Sequence, residues 1–341
     1  ITPSLSEPEN SFAGRTIILS HNIVLQENKM ARYRHALPQL NGDIFLTDAG
    51  LETDLIFNHG IDIREFAVHT LLPESSGRAA LAKYLRGYLD LAKSQGTGLV
   101  LDSQTWKAHM HWADDLGATE AEIRTANQDA IKFIAQLREE FAGNTSAVVL
   151  NGVVWPCGDA YAPEAAVAID QAEAYHAKQL AWLAETDADM VTALTFTQSD
   201  EAAGCVRAVR TVGLPSVISF TVETDGSLPT GQPLNEAIEA VDAASDNAPA
   251  YYMVNCAHPD HFAHVLGNEA WAQRIRGLRC NASRQSHAEL DACEVLDDGN
   301  PHELVQQYRD MRQKMPWLNV FGGCCGSDIR HVTEIAYAIA A

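Results

Sequence analysis

No apolar run in the 341-residue chain approaches the roughly 18–20 residues needed to cross a bilayer, so no membrane-spanning role is expected. The most apolar N-terminal stretch, Thr16–Leu25, is broken by Ser20, His21 and Asn22 and lacks a basic lead-in, which makes a poor signal peptide. Basic residues are scarce: 24 Lys and Arg stand against 45 Asp and Glu, a formal charge of −21. With no local basic patch either, the chain has no electrostatic footprint for a phosphate backbone, and nucleic acid is not an expected partner. Seven cysteines, an odd number in a large chain with no secretion signal, do not suggest a disulfide framework. Reduced thiols and a cytoplasmic location are the expectation. Several motifs are missing too. No G-x-G-x-x-G follows the first apolar run, and no G-x-x-x-x-G-K-[ST], H-E-x-x-H or G-x-S-x-G occurs anywhere. Dinucleotide-binding, P-loop, zincin and nucleophile-elbow chemistry therefore lack support.

What is present is a regular alternation. Short apolar runs occur at Asp43–Thr47, Gly98–Asp102, Ala147–Asn151, Asp189–Ala193, Ser216–Phe220, Tyr251–Asn255, Gly277–Asn281 and Leu318–Phe321. Near-continuous apolar runs of this length suit strands buried on both faces, as in a parallel sheet. Between them lie amphipathic stretches: Arg78–Lys93, Glu120–Glu140, Pro163–Glu185, Asn235–Ala244 and His302–Lys314. In the first, Leu81, Leu85, Tyr88, Leu89 and Ala92 follow helical spacing. Eight strands alternating with helices over about 300 residues is the count of an α/β chain folded as a (β/α)8 TIM barrel. No repeat or linker divides residues 30–341, which are read as a single barrel domain. Residues 1–29, polar and Pro/Ser-rich at the start, are set apart as an N-terminal extension or an expression leader.

In such barrels the active site lies at the C-terminal ends of the strands. The residues there include Asp48, Trp106, Asn151, Thr195, Thr221, Glu223, Asn255, Cys256 and Asn281, with Gly322-Gly323-Cys324-Cys325-Gly326 after the last strand. Three cysteines, Cys256, Cys324 and Cys325, thus fall at one end of the barrel. Three thiolates at one point repel unless a cation neutralises them. Zn²⁺ accepts such a set, and three protein ligands leave a fourth position open, as catalytic zinc sites do. Cys157, Cys205, Cys280 and Cys293 lack this setting and read as ordinary buried thiols. A rival set, His258, His261 and His264, follows Cys256 at three-residue spacing, and a helix starting at Pro259 would align His261 with His264.

Thr47-Asp48-Ala49-Gly50-Leu51-Glu52-Thr53 resembles the opening motif of the homocysteine S-methyltransferase family, which includes betaine- and S-methylmethionine-dependent enzymes. Val254-Asn255-Cys256 resembles its V-N-C motif, and Gly322–Gly326 its G-G-C-C motif, in the family's order. The resemblance implies zinc on Cys256, Cys324 and Cys325, a thiol acceptor in the open position, and Asp48 helping to bind the amino acid. The implied partners are small molecules: homocysteine, giving methionine, and a sulfonium or quaternary ammonium methyl donor. No side chain need act as a covalent nucleophile. One position departs from the pattern. Where the family places a glutamate after the fourth strand, this chain has Leu194, in Leu194-Thr195-Phe196-Thr197. Glu223 is the candidate substitute, with Thr195, Asn255 and Trp106 as further substrate-binding candidates. Trp106, Trp112 and Trp155 offer aromatic faces to an onium group, or cap the barrel or meet a partner subunit, so a homo-oligomer stays open. A different thiol, hydrolysis by zinc-activated water, and a non-catalytic thiol- or zinc-binding barrel are the alternative readings.

Overall fold

The computed structural model describes residues 31–141, 146–158, 160 and 166–340. The expected extension at residues 1–29 lies outside the described residues, as do residue 30 of the barrel domain and residues 163–165 of the helix expected from Pro163.

Eight parallel strands close into a barrel in sequence order: β1 (Phe45–Leu46), β2 (Gly98–Asp102), β3 (Val148–Val154), β4 (Met190–Phe196), β5 (Ser216–Phe220), β6 (Tyr251–Asn255), β7 (Ile275–Cys280) and β8 (Val320–Gly323). Strand β1 pairs with both β2 and β8, so no edge remains. The long helices are α1 (Ser75–Gln95), α2 (Glu120–Glu140), α3 (Ile169–Ala184), α4 (Ser199–Val212), α5 (Leu234–Ser245), α6 (Pro301–Lys314) and α7 (Ile329–Ala340). The expected barrel is therefore observed. The differences are that α4 and α7 lie outside the amphipathic stretches named above, and that the β6–β7 connection carries two short helical turns, Pro259–Phe262 and Ala272–Arg274, in place of a long helix. Among the described residues no helix is long and apolar enough to cross a membrane.

Alternation along the strands sorts side chains into two populations. In β2, Leu99 and Leu101 pack outward in the cluster shared with the helices, where α1 contributes Leu81, Leu85, Tyr88, Leu89 and Ala92. Val100 points inward and joins Phe45, Val149, Met190, Val217, Tyr251, Met253 and Val320 in an apolar layer. Leu37 closes this layer from below, and the neighbouring Gln39 amide reaches the Tyr251 hydroxyl at 3.4 Å.

Two residues further along each strand the same inward parity carries polar groups: Asp102, Asn151, Thr192, Ser219, Asn255 and Arg279. All six are buried. They satisfy one another. Asn151 donates to Asp102 Oδ1 at 2.7 Å, Thr192 donates to Asn151 at 3.1 Å, and Ser219 donates to Asn255 at 2.6 Å. Buried polar groups are tolerated only when paired in this way. This polar layer is the floor of the site.

Candidate active site

Above the floor lies a cavity of about 360 Å³, lined by Asp48, Glu52, Trp106, Leu194, Arg279 and the three cysteines among others. Each cysteine is delivered by backbone. Cys256 follows β6 in the left-handed region, at φ 53°, which strains a non-glycine residue. Its carbonyl is held by Asn281 Nδ2 at 3.1 Å and lies 2.6 Å from His287 Nε2. Cys324 and Cys325 follow β8, and Ser327 Oγ donates to the Cys324 carbonyl at 2.6 Å.

The flanking glycines serve mainly close approach. A Cβ on Gly322 would collide with the Thr47 hydroxyl, and one on Gly50 would sit 2.7 Å from the Cys324 carbonyl oxygen. The β1 and β8 loops therefore pack backbone to backbone. Gly326 N donates to Thr53 Oγ1 at 3.3 Å across the same contact.

The three Sγ atoms lie within 4.8 Å of one another, the one group of metal-ligating side chains of this kind among the described residues. Cys256 and Cys325 Sγ are 4.0 Å apart, close to the roughly 3.8 Å between two thiolates on a tetrahedral zinc. Cys256 and Cys324, with Cα atoms 5.4 Å apart, are in disulfide contact. This differs from the expectation of reduced thiols throughout: ligands steered to one point are also near enough to bridge. A metal needs this pair reduced. Cys157, Cys205, Cys280 and Cys293 are unbridged; Cys205 and Cys280 are buried as expected, whereas Cys157 is half-buried and Cys293 is exposed.

The histidine set does not converge. His258 caps the short turn through Nδ1, His261 Nε2 lies 2.9 Å from the Arg284 carbonyl, and His264 is exposed beyond the end of the turn.

The other expected site residues separate into two groups. Asp48, Thr195 and Trp106 line the cavity. Asn255 sits beneath, donating to Thr195 Oγ1 at 2.7 Å and accepting from Thr195 N at 3.0 Å, which steadies the left-handed backbone of Thr195 at φ 62°. Glu223 does not line the cavity. Its carboxylate is 3.3 Å from His287 Nδ1, behind Cys256, and about a third of it is exposed.

Two further groups stand at the site, Arg279 and Glu52. Arg279 is buried between two carboxylates, 2.5 Å from Asp48 Oδ1 and in direct contact with Asp102, while its Nε donates to the Gly323 carbonyl at 3.3 Å. Glu52 accepts the Trp106 indole N–H at 2.7 Å. Burial raises the Asp48 carboxyl to about 7, with Arg279 pulling the other way and Asp102 and Glu52 adding to the rise. Burial likewise raises Glu52, against the lowering effect of its hydrogen bonds. An arginine inside the apolar run Gly277–Asn281 is the legible signal for Arg279. Glu52 was in plain sight inside the quoted motif.

Trp106 and Trp155 form a tilted pair with centroids 4.6 Å apart. Lys107 also lines the cavity, with its Nζ 4.2 Å from the Trp112 ring centroid and 5.4 Å from that of Trp106.

Sequence comparison with curated proteins finds no match. Among solved structures, the chain is similar to the homocysteine methyltransferase MmuM from Escherichia coli. Its oxidized form is 17% identical with a TM-score of 0.65, covering 86% of this chain and 95% of that one. The metallated form is 15% identical with a TM-score of 0.65, covering 86% and 96%. At these identities the likeness shows the shared barrel. Residues 45–339 match the homocysteine S-methyltransferase family, a span that takes in all three cysteines, Asp48 and every strand. The chain belongs to the homocysteine S-methyltransferase family.

Proposed function

We propose that the protein is a zinc-dependent S-methyltransferase that makes methionine from homocysteine and a sulfonium or quaternary ammonium donor. The observation that carries this reading is the convergence of Cys256, Cys324 and Cys325 on one edge of a cavity that also holds carboxylates and aromatic faces. Cys256, Cys324 and Cys325 would hold the metal. A bound Zn²⁺ supplies Lewis acidity that lowers the pKa of an acceptor thiol, ordinarily near 8.5, so that it reacts as thiolate at neutral pH.

The chain's own residues do the rest. The carbonyl contacts of Cys256 and the Arg279–Gly323 bond hold the ligand loops in place. The cavity's carboxylates favour a cationic substrate, and the Trp106–Trp155 pair offers π faces to a methylated onium group, which has no N–H to donate. In the transfer the acceptor sulfur gains the methyl carbon, and the donor heteroatom keeps the bonding pair and leaves neutral. Charge is lost along that path, so a walled cavity favours it over bulk water. Thiols that must stay reduced fit a cytoplasmic location.

The test is Cys324→Ser. Zinc content measured by mass spectrometry should fall from near one per chain to background, and methionine formation from homocysteine with S-methylmethionine, glycine betaine or dimethylsulfoniopropionate should fall by more than about a thousandfold. Full turnover in zinc-free Cys324→Ser protein would sink the reading.

A further inference from the structure

Four carboxylates line the cavity, Asp48, Glu52, Asp102 and the exposed Asp291, and they are not equivalent. Asp48 and Asp102 share the Arg279 guanidinium. Glu52 forms no ion pair with any Lys, Arg or His among the described residues, and its recorded side-chain partner is a neutral donor, the Trp106 indole. Arg279, already bonded to Asp48 and Asp102, acts on Glu52 only through space, so this carboxylate has no contact cation of its own, a costly arrangement unless a ligand supplies one.

Its position says where that cation belongs. The segment carrying Glu52 packs directly on the cysteine turn: Gly50 has no room for a side chain against the Cys324 carbonyl, and Thr53 Oγ1 takes the Gly326 N–H. An amino acid held by its sulfur at the cysteines has its ammonium group three carbons away, in reach of this segment. On the fourth strand the cavity wall offers Leu194 and Thr195, neither of which carries a charge to pair with an ammonium.

Two cations could answer Glu52. A methylated onium group has no N–H and is best served by aromatic faces, which the tryptophan pair provides. A primary ammonium makes charge-assisted hydrogen bonds, which a carboxylate rewards and an aromatic face does not.

We propose that Glu52 recognises the α-ammonium group of the acceptor amino acid, supplying from the loop after β1 the negative charge that Leu194 does not supply from β4. Glu52 is thereby the residue that makes the site choose an amino-acid thiol over a simple thiol. This rests on the methyltransferase reading above.

The experiment is isothermal titration of the zinc-loaded protein with homocysteine and with 4-sulfanylbutanoate, which keeps the thiol and carboxylate and lacks the amino group. Wild type should prefer homocysteine. Glu52→Gln keeps an oxygen for the Trp106 N–H and should weaken homocysteine by about tenfold or more, with 4-sulfanylbutanoate changed by less than about twofold. Its KM for the methyl donor should be unchanged and its Tm no lower than wild type. Glu52→Asp, which keeps the charge at a shorter reach, should fall between the two, and it carries the test if Glu52→Gln fails to fold. Equal weakening of both thiols, no change in either, or an effect confined to the donor KM overturns the proposal. Wild type that binds the two thiols equally overturns the role of Glu52 alone, whereas wild type that binds neither overturns the underlying methyltransferase reading.

Discussion

Both ends of the barrel bury an arginine against aspartate, with opposite outcomes. At the N-terminal end, Asp189 takes one cation and two backbone donors: Arg138 Nη1 at 2.9 Å, Leu150 N at 2.9 Å and Tyr33 N at 2.8 Å. One cation meets one carboxylate there, although Arg138 Nε is buried without a hydrogen-bond partner, and the cluster ties α2, β3 and β4 to the chain entering the barrel. At the C-terminal end, Arg279 faces Asp48 and Asp102 together, and Glu52 stands nearby with no cation of its own. The same residue types thus make a charge-balanced strut at one end and an acidic surplus at the other. Buried charge left over after the protein has satisfied itself marks the place where a ligand completes the count.

The largest expected effect comes from removing the shared cation. Arg279→Met leaves Asp48 and Asp102 buried without a cation and should cost about 3–5 kcal/mol, read as a lowered urea midpoint. A midpoint equal to wild type would mean that the two carboxylates are solvated, and the contrast between the ends would collapse.

Paired deletions sharpen it further. Asp189→Asn strands the buried Arg138 charge and should cost about 3 kcal/mol, with thiol affinity unchanged. Asp48→Asn, at the end with the surplus, should cost about 1 kcal/mol or less at pH 7 while weakening ligand binding. The reason is the raised carboxyl of Asp48. Its folded pKa of about 7 lies above its unfolded value, so the fold favours the protonated form, and ionisation lowers stability as pH rises toward 7. A neutral amide removes that penalty.

A smaller effect concerns acid. His69 and His109, in loops at the C-terminal end, are both lowered to about 4 by burial. Their folded values lie below the unfolded 6.5, so the fold favours neutral imidazole. That contribution is present above pH 6.5 and is lost as pH falls from 6.5 through 4. The Tm should drop across this window as the loops over the site open first, seen as early loss of hydrogen-exchange protection around residues 68–71 and 109–112. Uniform exchange over the whole barrel would contradict this.

Much of the fold was legible because its signals are local. Strands β2, β5 and β6 run over the residues their apolar runs indicated, and α2 begins and ends where its pattern did, behind the Thr119–Glu122 capping box. In α4 the consecutive small residues Ala202, Ala203, Gly204 and Cys205 are all buried, so burial there takes in a full turn of the helix and not a single stripe. The cysteine site was legible for a different reason: three motifs in order at strand ends need only the barrel topology to converge.

The carboxylate partners were a different matter. Glu223 follows its strand at the right sequence distance, yet it turns toward His287, and Glu52 occupies the cavity instead. Which loop carboxylate faces inward depends on the close packing of the β1 and β8 loops, a contact between segments some 270 residues apart in sequence.

By itself, then, the sequence determined the barrel, its strand count and the three cysteines, because alternation and motif spacing act within a few residues of one another. Only the tertiary structure decided the charge arithmetic of the site. Arg279, Asp102, Asp48 and Glu52 come from strands or loops far apart in the chain, and their pairing exists only once the strands close.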